Sequence, residues 1–170
     1  MKIIQIKNQP EGYATINFGN INVMEIIKNG NVKILDGKSF TWDRSLNSAI
    51  SDCPFYIGAI PIFLTKKLGN ALNNPIVKTA NFNVEGQNYT IVAAPDLSDN
   101  SINLTKSECR TFRSGKIMDI TRYVFNIDIF YPSIFTPKEF KMYTFCDEVI
   151  AKKLLSCRFN QLRLVDCLIE

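Results

Sequence analysis

The segment Gly37-Lys38-Ser39 has the residue types that end a phosphate-binding loop. The complete motif also needs a glycine five residues before Gly37, and Val32 stands there instead. Without that glycine the backbone cannot wrap around a phosphate. The sequence therefore predicts an ordinary turn after a strand at this point, and no nucleotide site.

Carboxylates occur in two places where they could bind a metal or move a proton. Asp96, Asp99 and Asn100 form a polar cluster, but their spacing misses the calcium-loop pattern and its bidentate glutamate is absent. Asp147 and Glu148 are adjacent, so their side chains would point apart on a helix, and they fit better as charges at a helix N-terminus. We expect the first cluster to lie in a solvated loop, and we predict neither a metal site nor a cofactor.

The chain contains no histidine. Imidazole titrates near pH 7, so its absence removes Ser-His and Cys-His nucleophile pairs and the usual zinc sites. The five cysteines include no C-x-x-C pair, which favours reduced thiols in a cytosol. These features favour a protein that binds over an enzyme. An enzyme that uses carboxylates and cysteine without histidine is an alternative hypothesis. It requires a cleft with a perturbed carboxylate or a low-pKa thiol.

Basic and aromatic side chains alternate between residues 110 and 123. This pattern is the nearest in the chain to a nucleic-acid surface, although it lacks the glycine of an RNP sequence. A solvated β edge is the simpler interpretation. As a nucleic-acid site it would bind with steep salt dependence, and Arg113→Ala and Arg122→Ala would weaken binding. The cations concerned are Arg110, Arg113, Lys116 and Arg122.

Composition indicates one ordinary globular domain. The 170 residues are 46% hydrophobic and 21% charged, which suffices for a normal core. The net charge of +4 arises without a long run of either sign, so it does not demand a nucleic-acid partner. No apolar run reaches the ~18 residues that span a bilayer, and the N-terminal stretch, residues 1–7, is too interrupted for a signal peptide. We expect a cytoplasmic protein that is not bound to a membrane.

Local patterns predict a single α+β domain over residues 1–170. Its sheet would be mainly antiparallel or mixed, with a few short helices, and the C-terminal helix would be followed by a closing strand. The almost wholly apolar run 123–131 favours a central strand. The expected strands lie at residues 3–6, 13–24 with a break at 19–20, 32–35, 76–84, 89–93, 117–120, 123–131, 141–145 and 162–168.

Two helices have recognisable starts. Thr65 is the expected N-cap of a short helix through Leu72, whose inner face would carry Leu64, Leu68, Ala71 and Leu72. The C-terminal helix would begin at Asp147-Glu148, and Glu148 could pair with Lys152 one turn later. Its expected inner face is Val149, Ile150, Leu154 and Cys157.

Several segments share both their pattern and their order with one protein family. They are 61–65 leading into a short helix, 76–83, 88–92, the stretch containing Asp99, Ile102 and Ser107, 127–130, and 143–148 opening the last helix. In this respect the chain resembles bacterial immunity proteins of polymorphic-toxin and contact-dependent inhibition systems, most clearly over residues 60–165. The family often has a glycine after the last helix, and Asn160 could replace it at a left-handed cap.

This resemblance implies a cytosolic protein without enzymatic activity that binds one cognate toxin domain. Binding would cover the toxin's active site or an adjacent exosite, using a few anchor residues and complementary charge. The resemblance makes the loop with Asp96, Asp99 and Asn100 a candidate contact, and also Trp42 if that side chain is exposed rather than in the core. The alternative function is a small nucleic-acid-binding module that uses the basic segment. The oligomeric state stays open, because the run 123–131 could also form a dimer edge.

Overall fold

Two six-stranded β-sheets and a two-stranded ribbon make up the described part of the chain. The structure is a computed structural model, and it describes residues 2–8, 12–57, 59–97, 100–140 and 143–170, apart from the side chain of Glu139. Three short α-helices within these ranges join the strands: α1 (Val23–Lys28), α2 (Thr65–Leu68) and α3 (Glu148–Ser156). The predicted α+β class, with a C-terminal helix before a final strand, is confirmed.

The terminal sheet contains both ends of the chain. The strand nearest the N-terminus pairs antiparallel with two strands from the C-terminal part of the sequence and lies between them. The strand at each edge of the sheet runs parallel to its neighbour. In spatial order its strands are β11 (Val124–Phe125), β14 (Leu162–Ile169), β1 (Ile3–Asn8), β13 (Thr144–Asp147), β12 (Ile134–Pro137) and β8 (Asp96–Leu97).

The middle sheet is formed by the central part of the sequence. Its best-paired unit is the predicted hairpin, which closes through Glu85 and Gly86, both with positive φ. Positive φ at both turn positions matches the right-handed twist of the flanking strands. In spatial order the strands are β2 (Thr15–Asn17), β3 (Ser39–Asp43), β6 (Lys78–Val84), β7 (Gln87–Ala93), β5 (Ile60–Leu64) and β4 (Phe55–Tyr56).

Three apolar clusters hold these layers together. One cluster lies on the face of the middle sheet that α1 covers, and a second draws side chains from both sheets and from α2 and α3. The third lies on the other face of the terminal sheet, under a ribbon of β9 (Glu108–Thr111) and β10 (Ile117–Arg122). Each sheet therefore buries both faces over part of its area, which explains strands such as β5 that are apolar at every position.

The C-terminal helix α3 largely follows the sequence prediction. The Asp147 side chain accepts a hydrogen bond from the Ile150 backbone N–H (2.8 Å), and Glu148 pairs with Lys152 (2.9 Å). Ile150 and Leu154 are buried as expected. Val149, which the sequence predicts on the inner face, is exposed, and Ala151 is buried instead.

Four predicted elements differ from the structure. The predicted strand 13–24 is a strand only at 15–17, and its last two residues begin helix α1. Residues 32–35 form a 3-10 helix rather than a strand. Helix α2 ends at Leu68 because Gly69 takes a positive φ, and its N-cap is Leu64. The predicted central strand 123–131 is only β11, at the edge of the terminal sheet. None of the described helices is long and apolar enough to cross a bilayer.

Candidate functional site

Trp42 is a core residue and not a surface anchor. It lies on β3, is buried, and packs edge-on against Tyr89 with ring centroids 5.6 Å apart. Its backbone N–H donates to the Glu85 carboxylate (3.0 Å), which ties β3 to the hairpin turn. The condition for a contact role was exposure, so the core interpretation of Trp42 is confirmed.

Two loops next to the terminal sheet are joined by hydrogen bonds. The Asn126 side-chain amide donates to the Asn100 carbonyl (2.6 Å), and the Asn126 backbone N–H donates to the Ser101 carbonyl (3.0 Å). The buried Tyr131 hydroxyl bonds to the carbonyls of Ser101 and Asn126 (3.1 and 2.7 Å). Residues 100–104 and 126–130 therefore form one connected surface, called here the loop surface.

The loop surface exposes large apolar side chains. Phe130 is 87% exposed and Ile127 is 68% exposed, and Leu104 is exposed on the neighbouring loop. The exposed carboxylate of Asp128 lies between Ile127 and Phe130 in the chain. An exposed aromatic and aliphatic group beside a charge is a composition common at protein interfaces.

The predicted acidic contact group is divided in the structure. Asn100 lies on the loop surface, and Asp99 lies outside the described residues. Asp96 is exposed on β8, where it lines a shallow depression together with Lys28 and Lys78. Asp96 therefore has two lysines nearby, so the surface around it is of mixed charge.

The basic segment forms the outer ribbon. Arg110 and Arg122 lie on its strands, and Arg113 and Lys116 lie in the turn that joins them. All four are exposed, and Phe112 adds a ring that is 52% exposed. The structure thus brings the four predicted cations onto one projecting element.

Two carboxylates reduce the positive charge of this ribbon. Arg122 pairs with Glu108 across the strands (3.1 Å), with both side chains mostly in solvent. Asp119 stands opposite Arg110 in the strand register and accepts a hydrogen bond from the Tyr143 hydroxyl (3.1 Å). Arg113 and Lys116 in the turn are consequently the cations best placed to meet a polyanion.

Three buried or partly buried thiols have raised pKa values. Burial raises the pKa of Cys146 and of Cys167 to about 12, and it also raises the pKa of Cys53. A thiolate is the reactive form of cysteine, so a raised pKa keeps these groups inert near neutral pH. Among the described residues, no three His, Cys, Asp or Glu side chains form a group that could hold a metal ion.

The raised pKa values of these thiols predict that the protein loses stability at alkaline pH. An unfolded thiol ionises near pH 9, whereas Cys146 and Cys167 keep their protons until about pH 12. The stabilisation that these protonated thiols contribute is thus fully present below pH 9 and is lost as the pH rises from 9 towards 12. At pH 9.5 each thiol should lower the free energy of unfolding by roughly 1 kcal/mol. Urea titrations at pH 7.5 and 9.5 measure this fall, which should be smaller in Cys167→Ala; an equal fall in that variant contradicts the assignment.

The sequence matches no protein-family model, and no curated protein matches it. The similarity to immunity proteins therefore remains a resemblance of segments. The contact candidates that sequence reasoning misses are Ile127 and Phe130, because the apolar run that contains them predicts a central strand. The signal that was available is Asp128 between them, since a charge inside an apolar run is unusual for a strand buried on both faces.

Proposed function

We propose that this chain is a cytosolic immunity protein that binds one cognate bacterial toxin domain and blocks its active site or an adjacent exosite. The main support is the loop surface, where Phe130 and Ile127 are exposed at a cost in solvation that a bound partner would remove. Aromatic side chains that enter a partner's pocket commonly dominate the binding energy.

The construction of the loop surface also suits a binding role. Hydrogen bonds from Asn126 and Tyr131 hold its two loops together before any partner arrives. A surface that is ordered in advance loses less conformational entropy on binding. The exposed carboxylate of Asp128 can steer a basic partner, and this contribution should weaken with added salt.

Co-expression tests the proposal directly. The tagged chain is expressed with a candidate toxin domain, taken first from the C-terminus of any large protein encoded beside it, and affinity is measured by calorimetry together with rescue of growth. We expect a tight one-to-one complex and full rescue. A pair that neither binds nor rescues growth counts against the proposal.

Phe130→Ala should weaken this complex by about 30-fold or more, the loss typical of a central aromatic anchor. The stability of the free protein should hardly change, because the Phe130 ring is already in solvent. Phe112→Ala is the matched control, since it removes the same side chain from the ribbon. If Phe112→Ala weakens the complex and Phe130→Ala does not, the ribbon is the interface and the loop surface is not.

The second candidate function is binding of single-stranded nucleic acid by the ribbon. Four exposed cations and the Phe112 ring on one element favour it. Arg113→Ala should then reduce both the affinity for an RNA oligonucleotide and the slope of affinity against salt. Arg122→Ala should have the smaller effect, because Arg122 already pairs with Glu108. Fluorescence anisotropy at 50 and 200 mM salt measures both, and an affinity that does not depend on salt rules out this function.

A further inference from the structure

A half-enclosed cavity of about 380 Å³ lies where the ends of the two sheets meet. Its volume is within the usual range for small-molecule sites. The terminal sheet contributes the end of β1 and the residue before β14, and the middle sheet contributes the surroundings of β2 and β4. The residues that define its chemistry are Asn8, Gln161, Tyr13, Phe18, Phe55 and Tyr56.

Two carboxamides at this cavity carry buried oxygens without a partner. Neither Asn8 Oδ1 nor Gln161 Oε1 has a hydrogen bond in the described part of the chain. Gln161 is only 4% exposed. Asn8 pairs with Leu162 in the strand register, so the two carboxamides lie at the same end of the β1–β14 pair. A buried acceptor without a partner is costly, so two beside one cavity indicate a missing donor.

The backbone at the rim is strained. Ile57, which also lines the cavity, has a φ of 51°. This left-handed conformation is rare for a β-branched residue. Strained residues of this kind concentrate at binding sites, where the surrounding structure enforces them. The strain is a second observation, independent of the two carboxamides, that marks the cavity as a site.

The lining defines the class of ligand. Four aromatic residues line the cavity beside aliphatic ones, and no charged side chain lines it in the ranges that the structure describes. A cation or anion would lose its hydration there without a counter-charge. We propose that this cavity binds a small, neutral, aromatic ligand whose N–H groups donate to the carboxamide oxygens of Asn8 and Gln161. The site is independent of the proposed function, because it shares no residue with the loop surface.

Indole and indene form a matched pair of probes. They have nearly the same shape, but indole carries an N–H where indene carries a CH₂ group. Ligand-observed NMR titration of the full chain should show indole binding about tenfold more tightly than indene, as one hydrogen bond to a buried acceptor predicts. Gln161→Leu should remove this preference and leave indene binding unchanged.

Three further measurements guard against trivial explanations. The melting temperature of Gln161→Leu should equal or exceed that of the original protein, since an unpaired buried acceptor is replaced by an apolar group. Ala14→Leu should fill the cavity and weaken both probes, because Ala14 is buried in its wall. Gln87→Leu, on the exposed hairpin end, is the control and should change neither probe.

Several outcomes overturn the proposal. Equal affinity for indole and indene means that the carboxamides do not receive the ligand's donor. Failure of both probes to bind means that water alone satisfies these oxygens. An indole affinity that survives Gln161→Leu and Ala14→Leu places binding elsewhere.

Discussion

Phe145→Ala will lower the free energy of unfolding by about 4 kcal/mol. Phe145 lies on β13 and is fully buried in the cluster between the terminal sheet and the ribbon. Its ring centroid lies 4.9 Å from that of Tyr123 and 5.0 Å from that of Phe125, both in edge-to-face contact, and it stacks on Phe135 at 5.7 Å. Truncation thus removes buried apolar area and three aromatic contacts, and it leaves a cavity that rigid rings fill poorly.

Urea unfolding followed by circular dichroism measures the loss. Phe112→Ala is the control, because that ring is half-exposed on the ribbon and its removal should cost less than about 0.5 kcal/mol. The urea m-value should stay constant, since the surface exposed on unfolding hardly changes. A loss below about 1.5 kcal/mol for Phe145→Ala would mean that the ribbon does not close over this cluster as described.

The elements that sequence reasoning predicted correctly carry a strong local pattern. The β6–β7 hairpin combines apolar runs with a Glu85-Gly86 turn that favours positive φ. The start of α3 combines the Asp147 cap with the pair of Glu148 and Lys152. In both places short-range interactions and the tertiary fold favour the same conformation, so the local sequence is sufficient to predict the element.

Two of the wrong predictions fall on apolar runs without a clear period. Residues 32–35 read equally well as a strand or a helical turn, and the 3-10 helix forms because Val32 and Leu35 both enter the core of the middle sheet. The run 123–131 divides between two environments: Phe125 and Tyr131 are buried under the ribbon, while Ile127 and Phe130 face solvent. Long-range packing causes this division, and rules based on local sequence cannot predict it.

The candidate sites also differ in how far local sequence could predict them. The exposure of Asn100 and of the four ribbon cations could be predicted from residue type alone, because polar and charged side chains are rarely fully buried. The cavity could not be found in this way. Asn8 and Gln161 stand near opposite ends of the chain, and they meet only because β1 and β14 pair in the terminal sheet.

Asp52→Ala will lower the free energy of unfolding by about 3 kcal/mol. One oxygen of the mostly buried Asp52 carboxylate accepts the Asn160 backbone N–H (2.8 Å), and the other pairs with Lys67. Lys67 in turn donates to the Arg158 carbonyl (3.1 Å). This one carboxylate therefore joins the segment before β4, helix α2 and the segment after α3. Its removal leaves the partly buried Asn160 N–H without its acceptor, and it leaves the Lys67 ammonium with only the Arg158 carbonyl.

An exposed ion pair provides the comparison for Asp52→Ala. Asp166 pairs with Lys2 on the surface (2.7 Å), and Asp166→Ala should cost less than about 0.5 kcal/mol because solvent screens that pair. Asp52→Asn should fall between the two alanine variants, since it keeps an acceptor for Asn160 but loses the charge. Equal losses for Asp52→Ala and Asp166→Ala would show that the buried carboxylate does not join these segments. If it does join them, Asp52→Ala should also weaken indole binding, because Gln161 at the cavity directly follows Asn160, whose backbone N–H donates to Asp52.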